Sequence, residues 1–297
     1  MERVLYYKIS EEFHNHKLRE YLLRLGYSSQ NLIALKKMPE NLLLNGTFVY
    51  INHKLQAGDS LCVHITEKSG SAIEPVKLPL SIVYEDDDLL IVDKPSGMPT
   101  IPSAKHHNDT LANAVCAYYA EKGEIFTYRP VNRLDQNTSG LVLIAKHGIA
   151  ASMLSDLIKK GTLFKSYLAI AEGTLSPAGT IDAPISRRED SVITRRVDYK
   201  NGARAVTHYE VLSQKAAYAL VSIRLETGRT HQIRVHFSHI GHPLAGDGLY
   251  GGNTSFLCRH ALHAQTMAFT QPLTKESISC QSILPMDMLS FWNQLSS

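Results

Sequence analysis

Arg133-Leu134-Asp135-Gln136-Asn137-Thr138-Ser139-Gly140 runs directly into Leu141-Val142-Leu143-Ile144-Ala145. The second half is a continuous apolar run of strand length. The first half is rich in Asn, Thr, Ser and Gly, which favour a tight turn whose side chains bind the backbone. Asp135 therefore sits in a polar turn that feeds an apolar strand. Two readings of it stand. Either it caps its own turn, or it is a carboxylate held at the mouth of a cleft, with Arg133 two residues away on the same side of an extended segment.

Working outward, Ile82 to Tyr84 and Leu89 to Val92 read as strands, the second ended by Lys94-Pro95-Ser96-Gly97. Asp109 or Thr110 can cap a helix through Ala120 that Gly123 terminates. After the central strand, Ile149, Met153, Leu154, Leu157 and Ile158 mark one face of a helix stopped by Gly161. Leu168 to Ala171, Ala205 to Leu212 and Ala217 to Leu225 have strand character. Thr230 to Ile240 reads as a helix capped by Thr230 and closed by Gly241. Strands outnumber helices, and their order is not a regular βαβ alternation. The expected class is α+β: a mixed, largely antiparallel sheet with flanking helices.

The first 66 residues read as a separate small module. His16 to Leu25 suits a short helix, and Ser28-Ser29 can cap a second one through Leu35, with Lys36-Lys37 at its negative end. Leu42 to Leu44 meets Thr47 to Ile51 across Asn45-Gly46, a strong hairpin signal because both turn residues need positive φ. Leu61 to Ile65 adds a strand. Residues 67–80 lack periodicity and read as a linker, leaving 81–297 as the larger domain.

Apolar residues make up 44% of the 297 and charged residues 20%, ordinary values for a soluble globular protein. No apolar run approaches the roughly 20 residues a membrane span needs, and no signal-peptide core follows Met1. A cytoplasmic monomer is the expectation. The net charge of +3 permits nucleic-acid binding without arguing for it. Cys62, Cys116, Cys258 and Cys280 form no CxxC, so neither a disulfide framework nor a thiolate metal site is expected; they read as free, buried cysteines. His231, His236, His239, His242, His260 and His263 lack an HExxH frame and a carboxylate at ligand spacing, which points to hydrogen bonding or phosphate contact rather than metal. No glycine loop fits a phosphate cradle, so no nucleotide cofactor is implied, and no GxSxG elbow occurs.

Two further clusters stand out. In Leu225 to Arg234, Arg229 lies where a strand ends and a helix begins. It is placed either as an ordinary structural ion pair or as the partner that keeps Asp135 ionised. Lys165-Ser166-Tyr167 enters a strand, where Tyr167 either packs in the core or stacks on a base.

Together these stretches resemble the RluA-type RNA pseudouridine synthases. Val131 to Asp135 with Thr138 to Gly140 resembles the family's catalytic motif. Tyr84 to Asp87 with Asp93 to Gly97 resembles its opening motif, and Lys165 to Tyr167 its tyrosine motif. Thr227 to Arg234, with Gly241 to Asp247 and Tyr250-Gly251, resembles its basic motif, and Leu262 to Ala264 a late signature. The resemblance covers roughly residues 82–285. Asn132 stands where many members have His, a change expected to have little effect on the chemistry. The N-terminal module resembles the RNA-binding domain named for ribosomal protein S-four, in an RluD-like arrangement, with Lys36-Lys37 the main remnant of its basic face.

The resemblance implies cofactor-free isomerisation of uridine to pseudouridine in structured RNA, ribosomal rather than transfer RNA. It makes Asp135 the catalytic carboxylate, acting on ribose or base, and Arg229 its ion-pair partner. Tyr167 would stack on the flipped base or take the C5 proton, Arg133 would fill the vacated space, and Leu262 would pack on the base. A transfer-RNA synthase, a non-catalytic RNA-binding protein and a hydrolase using Asp135 with one of the histidines are the alternatives. The second predicts damage at Asp135, Tyr167 or Arg229, and all three are intact.

Overall fold

The computed structural model describes residues 2–67, 70, 72–191 and 193–295. In chain order its first part holds β1 (Glu2–Lys8), α1 (Leu18–Arg24), α2 (Ser29–Leu35), β2 (Leu42–Leu44), β3 (Thr47–Phe48) and β4 (Ser60–Thr66). The four strands form an antiparallel sheet ordered β1-β4-β2-β3. Ser28 accepts a bond from the Asn31 amide and so caps α2 as expected. Asn45 and Gly46 take φ of 50° and 80°, the turn that Asn-Gly predicts. β1 has no counterpart in the sequence reading. Only Leu5 of its residues is buried, so its pattern is weak, and the strand exists by pairing with β4 along its whole length.

The remainder contains β5 (Ser81–Glu85), β6 (Leu89–Lys94), α3 (Leu111–Glu121), β7 (Arg129–Pro130), β8 (Ser139–Ala145), α4 (Gly148–Lys159), β9 (Phe164–Glu172), β10 (Ala178–Asp182), β11 (Ile185–Arg187), β12 (Arg195–Val197), β13 (Val206–Lys215), β14 (Tyr218–Leu225), α5 (Gln232–His239), β15 (Leu262–Thr270), β16 (Ser277–Gln281) and α6 (Met286–Gln294). One ten-stranded sheet runs β10-β13-β14-β9-β15-β8-β6-β5, with β7 on β8 and β16 on β15, while β11 and β12 form a separate hairpin. Among the described strands β15 and β8 are the parallel pair, and the other pairings are antiparallel. The α+β expectation holds. Every residue of β8 is buried. Val142 and Ile144 pack with α3 and α5 on one face, and Leu141, Leu143 and Ala145 pack with α4 on the other.

Two details depart from the sequence reading. Helix α5 begins one residue after His231, which has left-handed backbone geometry (φ 57°, ψ 18°), so Thr230 is not its cap. Of the four cysteines, Cys116 and Cys280 are buried, but Cys258 is exposed. The expected linker, 67–80, carries neither helix nor strand among its described residues; Lys68, Ser69 and Ser71 lie outside them. Its first residue is anchored, since Glu67 pairs with Arg129 at 2.8 Å.

The N-terminal sheet is docked on the larger part. Ile149 and Met153 of α4 belong to its hydrophobic core. Arg3 on β1 reaches the buried Asp88 at 2.8 Å, and Asp88 also meets His147 at 3.0 Å.

The parallel pair fixes the centre of the fold. Ile223, Tyr167, Ala264, Gly140 and Lys94 form one cross-strand row over β14, β9, β15, β8 and β6. Gly140 has φ 112°, and a Cβ built there would lie 2.2 Å from the Ala264 carbonyl oxygen. Only a glycine lets β8 and β15 approach this closely. Gly140→Ala is therefore expected to destabilise the protein by at least ~3 kcal/mol, through strain and forced strand separation. Urea denaturation checks this against Gly46→Ala, which has a positive φ but open space around it and is expected to cost only ~1–2 kcal/mol.

Candidate active site

The loop between β7 and β8 carries Asp135, and its shape is set by buried polar groups beneath it. Thr100 Oγ1 donates to the Leu134 carbonyl at 2.8 Å and accepts from the Leu134 amide at 3.1 Å. The fully buried Lys94 ammonium donates to the carbonyls of Pro95, Met98 and Gln136 at 2.9, 2.7 and 3.1 Å. Burial pulls that ammonium down to about 7. From the other side, Arg259 donates to the carbonyls of Asn137 and Leu262 while paired with Asp287. The Pro-Ser-Gly turn after β6 is thus bound to the catalytic-type loop. Asn132 binds the backbone of β8 at both ends of its amide, through Leu141 and Leu143. That places its side chain in the strand ladder rather than in the cleft.

Arg133, Asp135, Tyr167, Arg229 and Leu262 all line one open cleft of about 380 Å³, together with Thr138, Leu225, His231, Ile233 and Arg234. The sequence reading placed these five in one site, and the structure brings them together. Tyr167 and Leu262 are buried and form the apolar wall. Arg133 and Arg229 are exposed at the mouth.

The ion-pair assignment is different. Arg229 does not hold Asp135; its Nε donates to the Arg204 carbonyl at 3.1 Å. Arg234 holds Asp135 instead, with NH1 3.3 Å from Oδ2. The physical reason is position on α5. Arg229 precedes the helix on an exposed turn, whereas Arg234 lies within its buried run Gln232 to Phe237. Arg234 is also fixed by Asp247, whose two oxygens accept from Nε and NH2 at 2.7 Å each. It stacks over the Tyr250 ring with its carbon 4.9 Å from the centroid. Burial alone would lower the Arg234 pKa, but the bonds and charges of Asp247 and Asp135 raise it instead, so the cation is permanent. The sequence held only a partial signal: Arg234 stands between Ile233 and Val235, and an arginine once buried must find a carboxylate. Asp247, in the same motif, is that carboxylate.

Burial, with the Asp135 charge adding to it, pushes the Tyr167 phenol up to about 12, so it is neutral at pH 7. The histidines make hydrogen bonds rather than a cluster. His236 meets Thr207 and Ala183, His260 meets Thr138 at 2.7 Å, and His263 meets Ser139 at 3.0 Å. Among the described residues no group of three or more His, Cys, Asp or Glu could hold a metal, and no helix is long and apolar enough to cross a membrane.

His260 carries a pH consequence. Burial, reinforced by Arg234 and Arg259, depresses it to about 2. The unfolded imidazole takes up a proton near its ordinary 6.5 while the folded one stays neutral. The stability it contributes is complete above pH 6.5 and is lost progressively as pH falls toward 2. Once the pH is about a unit below 6.5, this group alone removes roughly 1 kcal/mol per further pH unit. Urea midpoints at pH 7.5 and 5.0 should therefore fall more steeply for the wild-type protein than for His260→Asn; equal slopes would exclude this histidine as the source.

Comparison with known proteins agrees with the site. A family model described as RNA pseudouridylate synthase matches residues 88–239. The RNA pseudouridine synthase YjbO of Bacillus subtilis, described as uncharacterized, is 41% identical over 91% of this chain and 96% of its own. Ribosomal large subunit pseudouridine synthase D of Escherichia coli is 34% identical over 80% of this chain and 76% of its own. The solved structure of human RNA pseudouridylate synthase domain containing 1 superposes with a TM-score of 0.58 at 27% identity, covering 69% of this chain and 83% of that one. The chain belongs to the RNA pseudouridine synthase family, of the RluA type, and its activity is the isomerisation of uridine to pseudouridine in RNA.

Proposed function

We propose that Asp135 is the carboxylate that acts on the target uridine, and that the target lies in ribosomal RNA of the large subunit. The observation that carries the first part is the anchoring of a single Asp135 oxygen by a buried, doubly paired arginine at the floor of the cleft. A carboxylate tied at one oxygen to an immobile cation has a fixed direction in the cleft, as a nucleophile or base needs. The target base must leave its stack, at a cost of a few kcal/mol. Leu262 and the Tyr167 ring offer it an apolar slot, and Arg133 at the mouth replaces it in the RNA. Tyr167 works in this reading first as a stacking surface. Its phenol is protonated at neutral pH, so it accepts a C5 proton only after giving up its own. Arg229, freed from the carboxylate, holds a phosphate at the rim, as an exposed guanidinium does well.

The choice of ribosomal RNA is supported by relatives named ribosomal large subunit pseudouridine synthase D, 33–35% identical to this chain. We assign residues 1–66 to an S4-like module, 67–80 to a linker and 81–297 to the catalytic domain, and place the enzyme in the cytoplasm as a monomer. Docking of the module against α4 gives it a fixed orientation from which to hold RNA.

Asp135→Asn is expected to abolish pseudouridine formation while RNA affinity and melting temperature stay near wild type. Tyr167→Phe should bind RNA normally and turn over slowly. Pseudouridine-specific chemical mapping of unmodified ribosomal and transfer RNA treated with each protein checks both points. Normal turnover by Asp135→Asn contradicts the assignment of the carboxylate, and modification confined to transfer RNA contradicts the choice of substrate.

A further inference from the structure

His231 sits in the cleft with a backbone conformation that L side chains rarely adopt, at φ 57° and ψ 18°. A non-glycine residue held in that region, directly before a helix and inside a catalytic pocket, requires surrounding structure to impose it. That structure is a short hydrogen-bond chain. The Arg195 backbone N–H, on the β11–β12 hairpin, can only donate, and it donates to the Tyr250 hydroxyl oxygen at 3.0 Å. The Tyr250 hydroxyl can still donate to the other neighbour of that oxygen, His231 Nδ1, 2.8 Å away. In that tautomer the His231 proton is on Nε2, which faces Asp135 Oδ2 at 3.7 Å.

Arg234 touches the same oxygen. Both its 3.3 Å bond and the His231 approach fall on Oδ2. We infer that His231 is a positioning residue for the isomerisation: with Arg234 it holds Oδ2 of Asp135 and leaves Oδ1 as the oxygen that meets the substrate. The inference rests on Asp135 being the reacting carboxylate. The Nε2 separation exceeds a hydrogen bond in the free protein, and contacts of this kind tighten when substrate closes the site. Burial keeps His231 neutral, with Arg234 and Arg195 acting in the same sense and Asp135 and Asp247 opposing them. It is thus a directional donor rather than a second cation. Tyr250 has two duties: its ring lies against Arg234 and its hydroxyl sets the tautomer of His231. The same hydroxyl ties the Asp135 environment to the β11–β12 hairpin, which carries Arg187, Arg188 and Arg196 exposed at the surface.

The test is single-turnover pseudouridine formation at saturating enzyme, on RNA from cells lacking this protein, with RNA affinity measured in parallel. His231→Ala is expected to slow the reaction about 10- to 100-fold, as loss of an orienting partner does, with RNA Kd within about twofold of wild type. His231→Asn, whose short amide tolerates the left-handed conformation and still donates, should recover part of the rate; it also guards against a folding defect in the alanine variant. Tyr250→Phe keeps the ring but loses the hydroxyl, so it should be slower than wild type. Because Tyr250 acts through His231, the double variant should be no slower than His231→Ala alone. A wild-type rate for His231→Ala, a loss confined to RNA affinity, or multiplying effects of the two substitutions would overturn the inference. Asp135→Asn in the same assay separates the two claims. An active Asp135→Asn removes the reading beneath, whereas an inactive one beside an unimpaired His231→Ala removes only this one.

Discussion

A guanidinium buried between a helix and a sheet must be neutralised, and Arg234 meets that requirement through both oxygens of Asp247. Most of its charge is spoken for before Asp135 is considered. Of the N–H groups that remain, one on NH1 reaches Asp135. The catalytic-type carboxylate is therefore positioned by a cation that cannot move, because moving it would strand Asp247, whose side chain is only 1% exposed. Such a pairing is an expensive way to stabilise a fold. Its value here is that it fixes where a half-exposed carboxylate points.

The loop that carries Asp135 obeys the same economy of buried donors. Lys94 and Arg259 each give it one hydrogen bond, at the Gln136 and Asn137 carbonyls, and tie it to neighbouring segments at Met98 and Leu262. Neither hydrogen-bonds Asp135, which is left to Arg234, although the Lys94 ammonium feels the Asp135 charge. The close approach of β8 and β15 at Gly140 and Ala264 then brings Leu262 and Tyr167 to the same opening. Backbone geometry, not side-chain reach, assembles the site.

Much of this was legible in the sequence. The apolar run of β8, the capped helices α2 and α3, and the Asn-Gly hairpin follow from local rules that tertiary structure did not override. Strands β1 and β15 and helix α6 were not read, because their patterns acquire meaning only against partners distant in sequence, and β16 was missed with its neighbour β15. For the site, residue types and order sufficed to bring five residues into one cleft. They did not suffice to choose between two arginines five positions apart. Arg229 and Arg234 differ in whether they precede or enter α5, and the left-handed turn at His231 that decides this leaves no trace in residue type. Asp247 and Tyr250, quoted only as motif neighbours, prove to be the groups that hold Arg234 and His231.

If Asp135 is the reacting carboxylate, it works only while Asp247 fixes Arg234. The most direct measurement is the single-turnover rate of pseudouridine formation by Asp247→Asn, taken below the variant's unfolding transition and alongside its RNA affinity. The asparagine keeps the shape but gives up the charge and one of the two accepting oxygens. The account predicts a rate roughly 10- to 100-fold below wild type at nearly unchanged RNA affinity, because Arg234 is released from the geometry that orients Asp135. A folded Asp247→Asn protein that forms pseudouridine at the wild-type rate would contradict it.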